Sequence, residues 1–277
     1  VSSMYDLNID FTKMNYSMIK KHVDSLKDDY TNFNVTKESV LQMIKMINND
    51  DRKNVQELSI RLSKQIESFD KEVSRVKNMY NFDRSYLSLG YIAGVDEVGR
   101  GPLAGPIVAA AVVLDLDTTK DSELILGIKD SKKLSSKARE ELSSKIMKKA
   151  ISYSLSVIDN NEIDSKGIAW CNNQVFKIAV SKLTTQPNLV LSDGYPIKNF
   201  NIKNNYVIKG DEKSASIACA SIIAKVYRDN IMKDYSKVYP GYSFEENSGY
   251  GTKDHIEAIK KYGPSKIHRM YFLRNII

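Results

Sequence analysis

The sequence predicts an α/β protein in which a β-sheet flanked by helices follows a small all-helical N-terminal domain. Three observations carry this reading. Residues 1–89 contain no glycine and no proline, whereas all 13 glycines and all 6 prolines fall from Gly90 onward. Before that break, apolar residues recur every three or four positions, the period of a helix with one buried face. After it, short apolar runs ending in acids alternate with helical stretches, as strands do with the helices that cover them. The expected domains are 1–89, a helical extension, and 90–277, the larger domain with a C-terminal helical segment.

Composition bounds the partners. A chain of 277 residues with 42% apolar side chains can bury a sizeable core. The net charge is +7, and because residues 1–89 hold 14 basic and 13 acidic side chains, +6 of it belongs to the second domain. Such an excess favours polyanionic partners. Cys171 and Cys219 are too far apart in sequence for a metal-type pairing and read as buried thiols of a reducing compartment. No secretory signal, twin-arginine segment or long apolar span is present, so the expected location is cytoplasmic, with no membrane partner.

In the first domain, Ile19, Val23, Leu26 and Tyr30 share helical spacing, as do Val40, Ile44 and Ile47. A longer helix is marked by Val55, Leu58, Leu62, Ile66, Phe69, Val73, Val76 and Tyr80. Two or three helices in a small bundle or hairpin are expected, acting as a structural appendage or interaction surface more readily than as a nucleic-acid contact.

The second domain opens with YIAGVDEVGRGPLAGPIVAAAVVL, residues 91–114. An apolar run over Tyr91–Val95 ends in Asp96 and Glu97, and a Gly-Arg-Gly turn separates it from a second apolar run, Ile107–Leu114. Adjacent residues of a regular strand face opposite ways, so both acids reach one point only if the strand has ended. Gly99 and Gly101 allow close backbone approach, and Arg100 supplies a planar fork of donors suited to phosphate. A solvated acidic turn would give the same pattern.

Further along, Lys129–Ser135 reads KDSKKLS, with Ser135 placed to cap a helix through about Ala150. Ile151–Val157 alternates as a half-buried strand. A helix over Glu162–Leu183 turns Ile168, Val175, Ile178 and Ala179 inward and takes Trp170 and Cys171 into the core. Asn188–Tyr195 is a strand ending in Asp193, and Tyr206–Ile208 is another, ended by Lys209-Gly210-Asp211 before a long helix to about Lys233. Strand ends are where an α/β sheet gathers groups from distant parts of the chain. Asp211 could equally complement the dipole of the helix it precedes. Tyr250, between Gly249 and Gly251, is a packing anchor or faces a ligand, and a last helix covers Asp254–Tyr262. His255 and His268 lack partners at metal-ligand spacing and read as structural or solvent-facing.

Hard oxygen ligands such as Asp96, Glu97, Asp193 and Asp211 suit Mg²⁺ or Mn²⁺. No Cys, Ser or His nucleophile with an adjacent base is apparent. GVDEVGRGPLAGP resembles the opening signature of the type 2 ribonucleases H, specifically the ribonuclease HII family. The resemblance continues in order through DSKKLS, KGDEKSASIACASIIAKVYRD (with Cys219 where alanine is common), SGYGTKDH and YGPSKIHRMYF, over about residues 90–273. It implies a ribonuclease H-like mixed β-sheet and an endoribonuclease cutting the RNA strand of RNA–DNA hybrids and 5′ of single ribonucleotides in duplex DNA. The implied chemistry is two-metal hydrolysis with Asp96, Glu97, Asp193 and Asp211 as metal-binding catalytic residues, leaving 5′-phosphate and 3′-hydroxyl ends. Gly99, Arg100, Gly101 and Tyr250 are the implied readers of the 2′-hydroxyl. The partners implied are hybrids and ribonucleotide-containing duplexes, met by a monomer; some members carry a helical N-terminal extension. The related ribonuclease HIII has a β-rich N-terminal domain and an aspartate soon after Gly-Arg-Gly, where this chain has Pro102. A protein that binds hybrids without cutting them, and a Mg²⁺-dependent phosphatase of small metabolites, are the rival classes.

Overall fold

The computed structural model describes residues 11–118, 120–129, 131, 134–274 and 276. Asp130, Lys132 and Lys133 of the DSKKLS segment lie outside the described residues. The chain forms two compact units. One runs through Lys77 and includes the short segment ending at Leu126; the other comprises Asn78–Thr118 and the chain from Gly127 onward.

The first unit is built from α1 (Tyr16–Thr31), α2 (Lys37–Asn48) and most of α3 (Lys53–Arg84). Asn15 and Thr36 start α1 and α2 by accepting hydrogen bonds from the N–H groups of Met18 and Ser39. The apolar stripes meet in one cluster containing Ile19, Val23, Leu26, Val40, Met43, Ile47, Val55, Leu58, Leu62 and Ile66. Each such side chain contributes roughly 1.5–3 kcal/mol on burial, which is what holds helices that would be marginal alone. The helix α3 is 32 residues long and its last two turns, from Asn78, belong to the second unit.

In the second unit β1 (Ile92–Val98), β2 (Ile107–Val113), β3 (Ser152–Ile158), β4 (Leu189–Asp193) and β5 (Lys203–Val207) form one sheet of order β3-β2-β1-β4-β5. It is mixed: β1 pairs antiparallel with β2 and parallel with β4. On one face, Ala93, Val95, Ala109 and Ala111 pack against α6 (Ile168–Ser181) through Cys171, Val175 and Ala179. The other face receives α8 (Ala215–Val238). A Cβ on Gly94 would lie 2.2 Å from the backbone carbon of Ser216, so only glycine lets α8 settle this closely on β1. The remaining helices are α4 (Ser136–Lys149), α5 (Asn160–Lys166), α7 (Gly210–Lys213), α9 (Phe244–Asn247), α10 (Lys253–Tyr262) and α11 (Met270–Leu273).

Several expectations are corrected. The strand β1 does not end before its acids: Asp96 pairs with Ala110 and Glu97 with Ala109. It loses its neighbour on one side only, because the pairing with β4 stops at Val95 and Ser192. The half-buried strand expected over 151–157 is β3, whose inward residues are Ser152, Ser154, Ser156 and Ile158; Ser154 and Ser156 donate to the carbonyl oxygens of Ala179 and Val175 at 2.5 and 2.6 Å. At positions 154 and 156 the serines lie against the α6 backbone, and Tyr153 and Val157 are left exposed. The single helix expected over 162–183 is two, broken at Gly167 with φ of 81°, and Trp170 is exposed while Cys171 is buried. The last strand begins earlier than expected, at Lys203, and the helix after Asp211 is interrupted at Ser214.

Candidate active site

Past the end of β4, the tip of β1 borders a cavity of about 420 Å³ lined by Asp96, Glu97, Asp193, Asp211 and Tyr250. With no strand beside it on the β4 side there, a residue from either face of β1 can reach the opening, so two consecutive acids share one space without a break in the strand. Asp193 is the last residue of β4, and its carboxylate accepts the Gly210 N–H at 2.7 Å. That bond ties the β4 end to α7, which carries Asp211.

Asp96 is the innermost of the four, 8% exposed. Burial, and then the charges of Glu97 and Asp193, push its carboxyl well above the usual carboxylate range, against the Ser221 hydroxyl and the Glu97 N–H, which favour the ionised form. The Glu97 N–H donates to Asp96 Oδ1 at 2.7 Å. Crowded carboxylates of this kind suit a bound cation, which would relieve their repulsion. Among the described residues no three His, Cys, Asp or Glu side chains converge tightly enough to enclose an ion by themselves. Carboxylate oxygens are the donors that a hard divalent cation takes, with water and phosphate oxygens completing its shell.

The Gly-Arg-Gly turn borders this cavity without lining it. Gly99 has φ of 97°, and a Cβ there would lie 2.3 Å from Arg228 Nε. Arg100 is 3.6 Å from the Glu97 carboxylate and stacks over the Tyr195 ring, 4.9 Å from its centroid. A Cβ on Gly101 would be 3.9 Å from Tyr250 Cε1, which places the turn beside the tyrosine.

Two fully buried arginines hold this edge, and sequence reasoning missed both. Arg228 donates to the carbonyl oxygens of Pro106, Ser248 and Ala104 at 2.9, 2.9 and 3.2 Å. Arg269 donates to those of Gly105, Arg100 and Gly99 at 2.9, 3.0 and 2.5 Å. Burial lowers them to about 10 and about 9, still charged at neutral pH. Ser131, Ser221 and Lys225 also line the cavity; Ser221 Oγ lies 3.2 Å from Ser131 Oγ, and Lys225 pairs with Asp229 at 2.7 Å. A signal for three of these was present, since Ser221, Lys225 and Arg228 are spaced four and three apart on one helix face.

The histidines are structural, not solvent-facing. Ser265 N–H donates to His268 Nδ1 at 2.8 Å, the two Nε2 atoms are 3.0 Å apart, and His255 Nδ1 bonds the Tyr250 carbonyl oxygen at 2.8 Å. These partners require both rings neutral, with His268 donating through Nε2 and His255 through Nδ1. The relay fixes the backbone of Tyr250, whose ring remains exposed at the cavity.

A family model for ribonuclease HII matches residues 93–275, and one for the ribonuclease HII N-terminal domain matches residues 31–87. The chain is 57% identical over 262 residues to a ribonuclease HII of Clostridium botulinum, covering 95% of this chain and 96% of that one. To a ribonuclease HII of Clostridium acetobutylicum it is 61% identical over 231 residues, covering 83% and 91%. Among solved structures, the ribonuclease H2 of Pyrococcus horikoshii is similar with a TM-score of 0.58 and 28% identity, over 67% of this chain and 96% of that one. With both models matched in order and relatives similar along nearly their full lengths, the chain belongs to the ribonuclease HII family and is a ribonuclease H enzyme.

Proposed function

We propose that this protein is a divalent-metal-dependent endoribonuclease that hydrolyses the RNA strand of RNA–DNA hybrids and cuts on the 5′ side of single ribonucleotides in duplex DNA. The observation that carries the reading is the convergence of Asp96, Glu97, Asp193, Asp211 and Tyr250 on one cavity. Family membership supports the same substrate class. The four acids would hold Mg²⁺ or Mn²⁺, which when bound supplies an activated water and stabilises the departing 3′ oxygen. Asp193 is pre-oriented by the Gly210 N–H, and the Ser221 hydroxyl offsets part of the burial and repulsion that raise the Asp96 carboxyl, which a bound cation would offset further. The Gly99–Gly101 turn, held by Arg269, and the Tyr250 ring together form the edge along which a sugar bearing a 2′-hydroxyl is read. The helical extension serves stability or binding, without chemistry. The +6 of the chain after residue 89 favours a duplex over a small metabolite. No helix among the described residues is long and apolar enough to cross a membrane, and the proposed setting is a cytoplasmic monomer.

The test is a labelled DNA duplex with one embedded ribonucleotide, incubated with the protein and Mg²⁺. The expected products carry a 3′-hydroxyl upstream and a 5′-phosphate on the ribonucleotide. Tight binding without cleavage in either metal would replace the enzyme by a hybrid-binding protein.

A further inference from the structure

We propose that Asp83 is a positioning residue for the candidate active site: from the last turn of α3 its carboxylate fixes the start of α8, and through it the α7 turn that carries Asp211 and meets Asp193. This rests on the reading of those acids as the reaction site.

Asp83 is fully buried, and its Oδ2 accepts the Ser216 N–H at 2.8 Å. The helix α8 already has a local cap, because the Ser214 hydroxyl accepts the Ile217 N–H at 3.2 Å. An acceptor brought from 133 residues away does something a local cap cannot. It ties the first turn to a separate segment and so decides where in space the helix begins. From that turn the path to the site is short. Ser214 donates its N–H to the Gly210 carbonyl at 2.8 Å, and Gly210 donates its own to Asp193 Oδ1 at 2.7 Å. Asp211 is the next residue of the same turn. The backbone of Ser216 is also the part of α8 seated against Gly94, two residues before Asp96. Displacing the first turn of α8 would thus be felt at three of the four acids.

The charge of Asp83 suits the place. A carboxylate at a helix N-terminus complements the partial positive charge of the peptide groups there. Burial raises its carboxyl to about 6, against the donors Ser214, Ala215 and Ser216, so it is ionised at neutral pH. Its Oδ1 is buried without a hydrogen-bond partner among the described residues. A side chain kept at that desolvation cost is explained by the position it holds. The same turn contributes Arg84, whose Nε donates to the Leu116 carbonyl at 2.9 Å, so the end of α3 is held by a second contact beside the carboxylate.

The experiment compares the full chain with its Asp83→Ala and Asp83→Asn variants, by steady-state cleavage of the single-ribonucleotide duplex and by hydrogen–deuterium exchange. Wild-type cleavage tests the functional reading by itself, and its absence there refutes that reading while the exchange arm still judges the tether. For Ala the expected result is a kcat reduced at least tenfold with KM within twofold, and exchange over residues 210–217 at least tenfold faster while β2 is unchanged. Asn, which keeps an acceptor and loses the charge, should fall between Ala and wild type. Wild-type kcat and exchange in folded Ala protein would overturn the proposal, as would faster exchange spread evenly over the sheet. If the Ala variant does not fold, Asn decides: a kcat at least threefold lower with exchange faster only at 210–217 sustains the tether, and wild-type values in both overturn it.

Discussion

Arg269 places its Nη2 2.5 Å from the carbonyl oxygen of Gly99, 170 residues earlier in the chain. The bond joins the C-terminal segment to the turn between β1 and β2, and two more bonds from the same guanidinium satisfy Gly105 and Arg100. No side chain but that of arginine has a planar fork able to serve three carbonyls at once. Replacing Arg269 with Lys keeps the charge and strands at least one buried carbonyl, at about 1–3 kcal/mol each. The expected loss in Tm is several degrees, read by calorimetry, together with weaker discrimination between a ribonucleotide and a deoxyribonucleotide at the cut site. A Lys variant matching wild type in both would show that the fork is dispensable.

The His255 and His268 pair predicts acid sensitivity. His268 is lowered to about 4, by burial and then by His255, and burial also lowers His255. For groups whose folded pKa is depressed, the stability they support is complete above the unfolded value near 6.5 and is lost as pH falls towards the folded one. Protonating His255 would set two N–H groups against each other across the 3.0 Å contact, and protonating His268 at Nδ1 would set its new N–H against that of Ser265 at 2.8 Å. Between about pH 6.5 and 4 the His268 shift alone should remove on the order of 3 kcal/mol. Denaturant titrations of wild type and His268→Gln across that range check this. The Gln variant should be less stable at pH 7.5 and show a flatter slope; parallel curves would remove the histidine from the account.

Most of the sheet was legible because its strands are short apolar runs between glycine-rich turns, and the three bundle helices because their apolar spacing is regular. What failed did so for local reasons. In β3 the alternation was seen, but which half faces inward depends on how close α6 comes, and no strand pattern carries that. The end of β1 was misplaced because charge was taken to stop a strand, whereas the ladder with β2 continues through Asp96 and Glu97. The four acids stood out by their positions at strand tips. Arg228, Arg269 and the histidine relay did not, because their partners are backbone carbonyls far away in the chain.

The acid cluster predicts opposite movements of stability and activity. Asp96 is buried beside other carboxylates with its carboxyl pushed up, so its charged form costs stability as pH rises above the unfolded value near 3.9. At pH 8 the Asp96→Asn variant should therefore unfold at a higher temperature than wild type. Its cleavage rate should drop by at least two orders of magnitude. Adding millimolar Mg²⁺ should raise the Tm of wild type more than that of the variant, because the repulsion it relieves has already been removed. A variant with wild-type turnover, or equal Mg²⁺ shifts in both proteins, would contradict the metal assignment.

Tyr250 offers the sharpest test of the proposed substrate reading, because its backbone is held while its ring is left exposed. The backbone is fixed through its carbonyl by His255 and Thr252, at 2.8 Å each. The ring, 40% exposed and beside Gly101, is available to lie against a sugar while its hydroxyl reaches the 2′ oxygen. Phe at this position removes only the hydroxyl, a loss of about 0.5–1.5 kcal/mol. Ala removes the ring as well, adding about 1–3 kcal/mol by analogy with aromatic stacking on nucleic acid. Neither change touches the carbonyl bonds, so Tm should hold in both variants and the effect should appear in kcat/KM. The penalty should be greatest on a duplex with one embedded ribonucleotide, where a single 2′-hydroxyl must identify the scissile position. On a long hybrid, neighbouring hydroxyls offer other registers and soften it. Cleavage assays on the two substrates with all three proteins separate the cases, and small, equal effects of Phe and Ala on both would make Tyr250 a packing residue.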